Sequence, residues 1–272
     1  MSEDLKTPAT TETIRLVDCR NGRMLVNSND MYIGKSLILY GEFSPAEGAL
    51  YGALLRRGDN VVEAGANIGC FTLAFAQHVG PQGRVYAFEP QRLLFQILCG
   101  SIALNEIDNV EAWPAGIGAE VGRMVAPPLR LNTLGNFGAL PITQTGAGES
   151  VPVTTVDNLG LDACALIKAD VQGMERDVLE GARETIARCR PLLYVENDQQ
   201  EMSAALLGTI EEMGYCAFWH LPPLFDPENY NGETEDHFPG VVSVNLLCTP
   251  PGVRIEFPGL REVRGPDDWW EE

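Results

Sequence analysis

The run Glu63-Ala64-Gly65-Ala66-Asn67-Ile68-Gly69 follows a short β-branched stretch and opens a stretch of helical period. A glycine-rich turn in that place lets a ligand approach the backbone at the carboxyl ends of a parallel sheet. A dinucleotide site requires G-x-G-x-x-G and offers helix N-terminal amides to a pyrophosphate. Here the glycines are Gly65 and Gly69, and the Glu63 carboxylate beside the turn would repel phosphates. A phosphate-free cofactor carrying positive charge suits the site better, which describes S-adenosylmethionine with its sulfonium and amino groups. Glu89, in Tyr86-Ala87-Phe88-Glu89-Pro90, ends the next strand and can accept hydrogen bonds from both ribose hydroxyls. The expected cofactor contacts are therefore Glu63, Gly65, Asn67, Gly69, Glu89 and Pro90.

With such a cofactor, methyl transfer would need an acceptor held in line with the methyl group, and a base where the acceptor must lose a proton. Asp170 closes a later strand and Glu196-Asn197 the one after it, so both carboxylates should project into one crevice. Lys168 and Asp170, two apart in an extended segment, share a face. Among the histidines, His220 ends a strand and His237 lies in the loop 221–240; either could serve as base, since imidazole titrates near neutral pH. The expected catalytic set is Asp170, Glu196 and His237. Asn132, Asn136 and Phe137 lie in a Gly/Pro-rich segment, 123–150, whose length marks a lid or binding loop, and are the expected substrate contacts.

These residues need a scaffold that brings strand ends together. From Asp59 onward, β-branched runs (60–63, 84–88, 110–115, 165–168, 192–195) alternate with helical periods (68–79, 93–104, 174–189, 204–213), the pattern of a parallel sheet with crossover helices. Two last strands, 215–220 and 241–248, have no helix between them and should pair antiparallel. Ahead of the sheet lies an extension, 1–58. Its first twelve residues are polar and expected to fray, 14–17 and 24–26 form a hairpin around Asn21-Gly22, and a helix starts at Ser44-Pro45-Ala46-Glu47 with Ser44 as N-cap. The catalytic domain spans 59–250, and 251–272 form an acidic tail in which Trp269-Trp270 could anchor on the body or across a homodimer.

Composition narrows the partners. The 272 residues carry 38 acids and 19 bases, a net charge of -19. Such a surface repels phosphate backbones and anionic lipid, so neither nucleic acid nor membrane is an expected partner; a small-molecule or glycan acceptor is. Seven cysteines without a CxxC pair read as buried thiols in a reducing, cytoplasmic setting.

Several of these runs resemble the FkbM-type methyltransferases: Val62-Glu63-Ala64-Gly65-Ala66-Asn67-Ile68-Gly69, Ala87-Phe88-Glu89-Pro90, Val153-Thr154-Thr155-Val156-Asp157, Leu166-Ile167-Lys168-Ala169-Asp170-Val171-Gln172-Gly173-Met174-Glu175 and Val178-Leu179-Glu180-Gly181-Ala182. The resemblance implies a class I, Rossmann-like α/β fold, a mostly parallel seven-stranded sheet with an antiparallel terminal strand and helices on both faces. It also implies S-adenosylmethionine-dependent O-methylation of a hydroxyl on a small metabolite, sugar or natural product. Glu63 stands where the family more often has Asp, and Gln172 where it usually has Glu. Asp170 followed by Glu196-Asn197 is also similar to the magnesium site of catechol-type O-methyltransferases, and such oxygen ligands suit a hard divalent ion. Two other readings remain open: an NAD(P)-dependent oxidoreductase of the same architecture, and a non-catalytic scaffold that keeps the cofactor site.

Overall fold

The computed structural model describes residues 12–271; the fraying expected at the start falls on residues outside that range. The chain opens with a hairpin, β1 (Ile14–Cys19) and β2 (Gly22–Asn27), turned by Arg20-Asn21 with Cys19 opposite Gly22. Gly22 adopts φ +118, a conformation closed to most L residues. Two helices follow, α1 (Ile33–Tyr40) and α2 (Pro45–Leu54). The α1 helix has no counterpart in the sequence expectations, because a single two-turn apolar segment shows no distinct period.

The main sheet alternates with helices in the expected order: β3 (Asn60–Ala64), α3 (Cys70–Val79), β4 (Arg84–Phe88), α4 (Arg92–Leu104), β5 (Val110–Trp113), then after a long excursion β9 (Leu166–Ala169), α5 (Glu175–Glu180), α6 (Arg183–Cys189), β10 (Leu192–Glu196), α7 (Gln200–Glu212), β11 (Cys216–His220), β12 (Asn245–Thr249) and β13 (Leu260–Glu262). Across the sheet the order is β13-β11-β12-β10-β9-β3-β4-β5. Strands β5, β4, β3, β9 and β10 are mutually parallel, and β12 runs antiparallel to both β10 and β11. The chain winds one way from β3 and the other way from β9. The crevice between those two strand ends is the switch point where open α/β sheets bind ligands.

Strand alternation divides the core. Val61, Val85, Leu166 and Tyr194 point to the face covered by α2 and α3, where Leu50, Tyr51, Phe75 and Val79 are buried. Val62, Ile167, Leu193 and Val195 point to the other face, against Val178, Ile186, Leu206 and Ile210 of α5 to α7. Both faces of the central strands are thus apolar, as a doubly wound parallel sheet requires.

Four expectations change. The sheet has eight strands rather than seven, because residues 251–272 contribute β13, which pairs with β11. Trp269 packs edge-on against Trp219 of the same chain, and Trp219 Nε1 donates to Asp268 Oδ2 at 3.1 Å, so the tryptophan pair is seated on the body. The segment read as a long loop holds β7 (Gly122–Ala126) and β8 (Glu149–Thr154), which with β6 (Gly116–Ile117) form a small separate sheet around Met124, Ile142 and Val151. Its glycines and prolines hid two short strands. Finally, the expected helix 174–189 is broken at Gly181. A Cβ there would lie 2.1 Å from the Gly118 carbonyl oxygen, so only glycine allows the small sheet to approach this closely.

Candidate active site

The turn after β3 is wired internally. The Gly65 and Ala66 N–H groups both donate to the Phe88 carbonyl, at 3.0 and 2.9 Å, tying the turn to the end of β4. Asn67 N–H donates to Glu89 Oε2 at 2.8 Å, Ile68 N–H to Asn67 Oδ1 at 2.8 Å, and Gly69 N–H to the Ala66 carbonyl at 2.9 Å. Every amide from 65 to 69 therefore has an acceptor within the protein, and none is left for a phosphate. Asn67 sits at φ +51, where a short amide side chain is tolerated. Gly65, at φ +85, is packed so closely that a Cβ would come 1.9 Å from the Asp170 carbonyl oxygen. The cofactor turn and the segment after β9 are thus in backbone contact.

Carboxyls line this end. Glu63 is buried and accepts from Thr72 Oγ1 at 2.6 Å; burial pushes it up to about 7, against the pull of Lys168. Glu89 is buried as well, accepts from Asn67 and from Gln91 N–H at 2.7 Å, and is also pushed up to about 7 by burial. Carboxyls that lose hydration in a cavity gain most from a ligand bringing positive charge or hydroxyl donors. These are the groups S-adenosylmethionine would offer, so the donor set fits that cofactor.

The other half of the site is the Lys168–Gly173 segment. Lys168 is buried with its Nζ 3.1 Å from Asp170 Oδ2 and 5.4 Å above the Phe71 ring. Burial alone would lower its pKa, but Asp170, Glu63 and Glu47 together hold it above the ordinary lysine value. Gln172, at φ +58, turns back so that its Nε2 donates to Glu196 Oε2 at 2.9 Å and to Asp170 Oδ1 at 3.4 Å. Desolvation, then the charges of Asp170, Asp198 and Glu175, push Glu196 well above the usual carboxylate range. Of the two strand-end acids, Asp170 receives side-chain donors on both oxygens, whereas Glu196 receives one, from Gln172.

The same segment answers the metal expectation. An amide nitrogen, a donor, bridges Asp170 and Glu196 where a cation would need a ligand, and Asn197 is turned to Ser203 Oγ at 2.8 Å. Among the described residues no cluster of three acid, His or Cys ligands is arranged for a metal. The residues present do not fit a divalent ion.

A cavity of about 350 Å³ joins the two halves. Of the residues singled out in the sequence, Glu63, Gly65, Asn67, Glu89, Pro90, Asn136, Phe137, Asp170 and Glu196 line it. Gly69 does not; its role is steric, since a Cβ there would lie 2.7 Å from Leu98 Cδ1. Asn132 lies outside as well. His237 is a correction: its backbone N–H donates to Tyr40 Oη at 2.8 Å and its ring packs beside Tyr40 at 6.1 Å, on α1 rather than in the cavity. His220 does not line the cavity either; it is buried, with Nδ1 2.7 Å from Tyr194 Oη.

The sequence missed what closes the cavity. Tyr32, Phe43 and Glu47 of the N-terminal extension line it. Ser44 is the N-cap residue of α2, as expected, but its side chain caps no backbone N–H; Ser44 Oγ donates to Glu47 Oε1 at 2.7 Å and Tyr51 Oη to Glu47 Oε2 at 3.1 Å, which turns the carboxyl inward. Burial raises the Glu47 pKa above the ordinary carboxylate value. Two loops overhang the cavity and both dock on the extension. Met31 N–H donates to the Gly135 carbonyl and Gly135 N–H to the Asn29 carbonyl, each at 3.0 Å. On the other side Tyr230 N–H donates to Glu42 Oε1 at 2.7 Å, and Glu42 is ion-paired with Arg20.

Comparison with known proteins points the same way. The family model described as the methyltransferase FkbM domain matches residues 63–216, more than half of the chain. The 31-O-demethyl-FK506 methyltransferase FkbM of Streptomyces tacrolimicus is 27% identical, over 79% of this chain and 92% of its own length. The methyltransferase sdnD of Sordaria araneosa is 28% identical over 46% of this chain, which spans 60% of that relative's length. Among solved structures, an FkbM methyltransferase from Methylobacillus flagellatus superposes with a TM-score of 0.45 at 18% identity, covering 74% of this chain and 50% of that one.

Proposed function

The chain belongs to the FkbM methyltransferase family, and from that premise we propose that it moves the methyl group of S-adenosylmethionine to a hydroxyl oxygen of a small metabolite, sugar or natural product. The observation that carries the cofactor is the turn 65–69, whose amides are all used internally while Glu63 and Glu89 stand beside it. A pyrophosphate would find no donors and two carboxyls there, which with family membership disposes of the nicotinamide reading. Glu89 would accept the ribose hydroxyls, and the turn at Gly65 to Asn67 would carry the methionine part. When bound, the cofactor would supply an electrophilic methyl group for the acceptor oxygen, with S-adenosylhomocysteine as the product.

Asp170 is the base in this reading. Lys168 Nζ and Gln172 Nε2 both donate to it, which orients the carboxylate and leaves lone pairs for the acceptor's hydroxyl proton. Glu196, held by the same Gln172 amide and raised in pKa by burial, is the weaker candidate for that role. Tyr32, Phe43 and Phe71 exclude water from the transfer. The Streptomyces relative, named for O-methylation of a natural product, supports oxygen as the atom methylated. All seven cysteines are free thiols, which supports a cytoplasmic setting; among the described residues no helix is long and apolar enough to cross a membrane.

Calorimetry with S-adenosylhomocysteine tests the reading directly. Saturable binding by the wild type, with none for NADH, is expected. NADH binding in place of S-adenosylhomocysteine would overturn it.

A further inference from the structure

The start of α2 breaks two habits of helix starts. Ser44 holds the N-cap place, yet its hydroxyl bonds no helix amide. It also sits at φ 45, ψ 66, a left-handed conformation unfavourable for serine, and is wholly buried. Backbone held in this way persists where the surroundings enforce it, and such places gather at functional sites. Here the Ser44 hydroxyl donates to Glu47 Oε1 at 2.7 Å while Tyr51 Oη donates to Glu47 Oε2 at 3.1 Å, so both donors fix one carboxyl in the cavity wall. Each carboxylate oxygen can accept more than one hydrogen bond, which leaves capacity for a ligand.

The charge of this carboxyl is unmatched. Among the described residues Lys168 forms its ion pair with Asp170, at 3.1 Å, and Glu47 forms none. A buried carboxylate that borders a cavity without a cation of its own is satisfied by a cationic ligand group. Its place says which group. Tyr51, which holds Glu47, packs edge-on against Tyr194 of β10 with ring centroids 5.1 Å apart, and Lys168 and Asp170 of β9 are charges that act on Glu47. Glu89 ends β4, on the far side of β3 and two strand spacings from β9, about 10 Å. A cofactor with its ribose at Glu89 and its chain along the Gly65 to Asn67 turn brings its amino-acid end across β3 to the Glu47 side. We propose that Glu47, supplied by the N-terminal extension, binds the α-ammonium group of S-adenosylmethionine, with Ser44 as the positioning residue that orients it. The inference rests on the methyltransferase reading above. Phe43 and Phe71, 6.0 Å apart, line the cavity beside Tyr51 and hold the pair out of bulk water, where it would be weak. The extension is then part of the cofactor site as well as a support for the loops above it.

Calorimetry on the full-length protein compares S-adenosylhomocysteine with its deaminated analogue, in which hydrogen replaces the α-amino group. Wild type is expected to bind the analogue about tenfold or more weaker, the effect of losing one charged hydrogen bond. Glu47→Gln should weaken S-adenosylhomocysteine by a similar factor and leave the analogue within about twofold, since residue and amino group are two halves of one interaction. Glu63, also buried in the cavity wall, is the control, and Glu63→Gln should change both ligands by the same factor. Equal wild-type affinity for the two ligands, equal effects of Glu47→Gln on both, or an amino-group effect carried by Glu63→Gln instead overturns the inference and leaves the methyltransferase reading intact. Absence of S-adenosylhomocysteine binding by wild type overturns both. Should Glu47→Gln fail to fold, Ser44→Gly decides: glycine accepts the left-handed backbone and removes only the orienting hydroxyl. It should weaken S-adenosylhomocysteine several-fold more than the analogue, and equal effects on the two refute the assignment.

Discussion

Gly65→Ala probes the contact between the cofactor turn and the catalytic segment. At φ +85 an alanine carries a backbone cost of about 1–2 kcal/mol. Its Cβ would also come 1.9 Å from the Asp170 carbonyl oxygen and 2.9 Å from the carbonyl carbon, both backbone atoms with no rotamer to yield. The two segments must part by about 1 Å, and such overpacking costs about 1–3 kcal/mol more. The sum, ~2–5 kcal/mol, leaves a domain of ordinary stability folded but lowers Tm by roughly 5–15 °C. Displacing Asp170 by that distance should also reduce turnover by about 10²-fold. Gly48→Ala is the matched control: the same atom is added inside α2 with nothing within 4 Å, and should stabilise by about 0.5–1 kcal/mol. Scanning calorimetry and S-adenosylhomocysteine titration of both variants read the outcome. A Gly65→Ala protein within 2 °C of wild type (about 1 kcal/mol), with unchanged ligand affinity, would refute the claim that this glycine is there for close approach.

Glu89→Gln keeps an acceptor for Asn67 and Gln91 but removes the ionisable group, and should weaken S-adenosylhomocysteine by about tenfold or more in calorimetry while the ligand-free protein stays folded. Asp170→Asn should lower kcat by about 10²–10⁴ while S-adenosylhomocysteine affinity stays within a few-fold; an equal loss in both would make Asp170 a binding group instead of the base. Glu63 and Glu89 sit at about 7 in the fold and near 4.3 in the unfolded chain, so the folded state binds more protons between those values. Their contribution to stability is full below about 4.3 and is lost as pH rises through 7, so the Tm of ligand-free protein should fall from pH 6 to pH 8 more in wild type than in Glu63→Gln/Glu89→Gln. A cationic ligand favours the ionised forms, so S-adenosylmethionine binding near pH 6.5 should release protons, measured as a dependence of binding heat on the buffer's ionisation enthalpy.

The sequence by itself determined the parts governed by local rules. Glu63 to Gly69 and Glu89-Pro90 are legible because a strand end, a positive-φ glycine and a following helix are set by neighbouring residues, and β-branched runs buried on both faces announce a doubly wound sheet. It failed where one side chain's meaning depends on another far along the chain. His237 looked available as a base in a polar loop, but Tyr40, nearly two hundred residues earlier, holds it on α1. Glu47 read as part of a helix cap, and Tyr51 and Ser44 turn it into a cavity wall. Gln172 read only as a lost carboxylate, whereas the fold places its amide between Asp170 and Glu196 and so separates their roles. Local pattern records which residues can form a turn or a strand; enclosure, protonation and the closing of the cavity come from desolvation and from contacts between distant segments, and only the tertiary structure decides those.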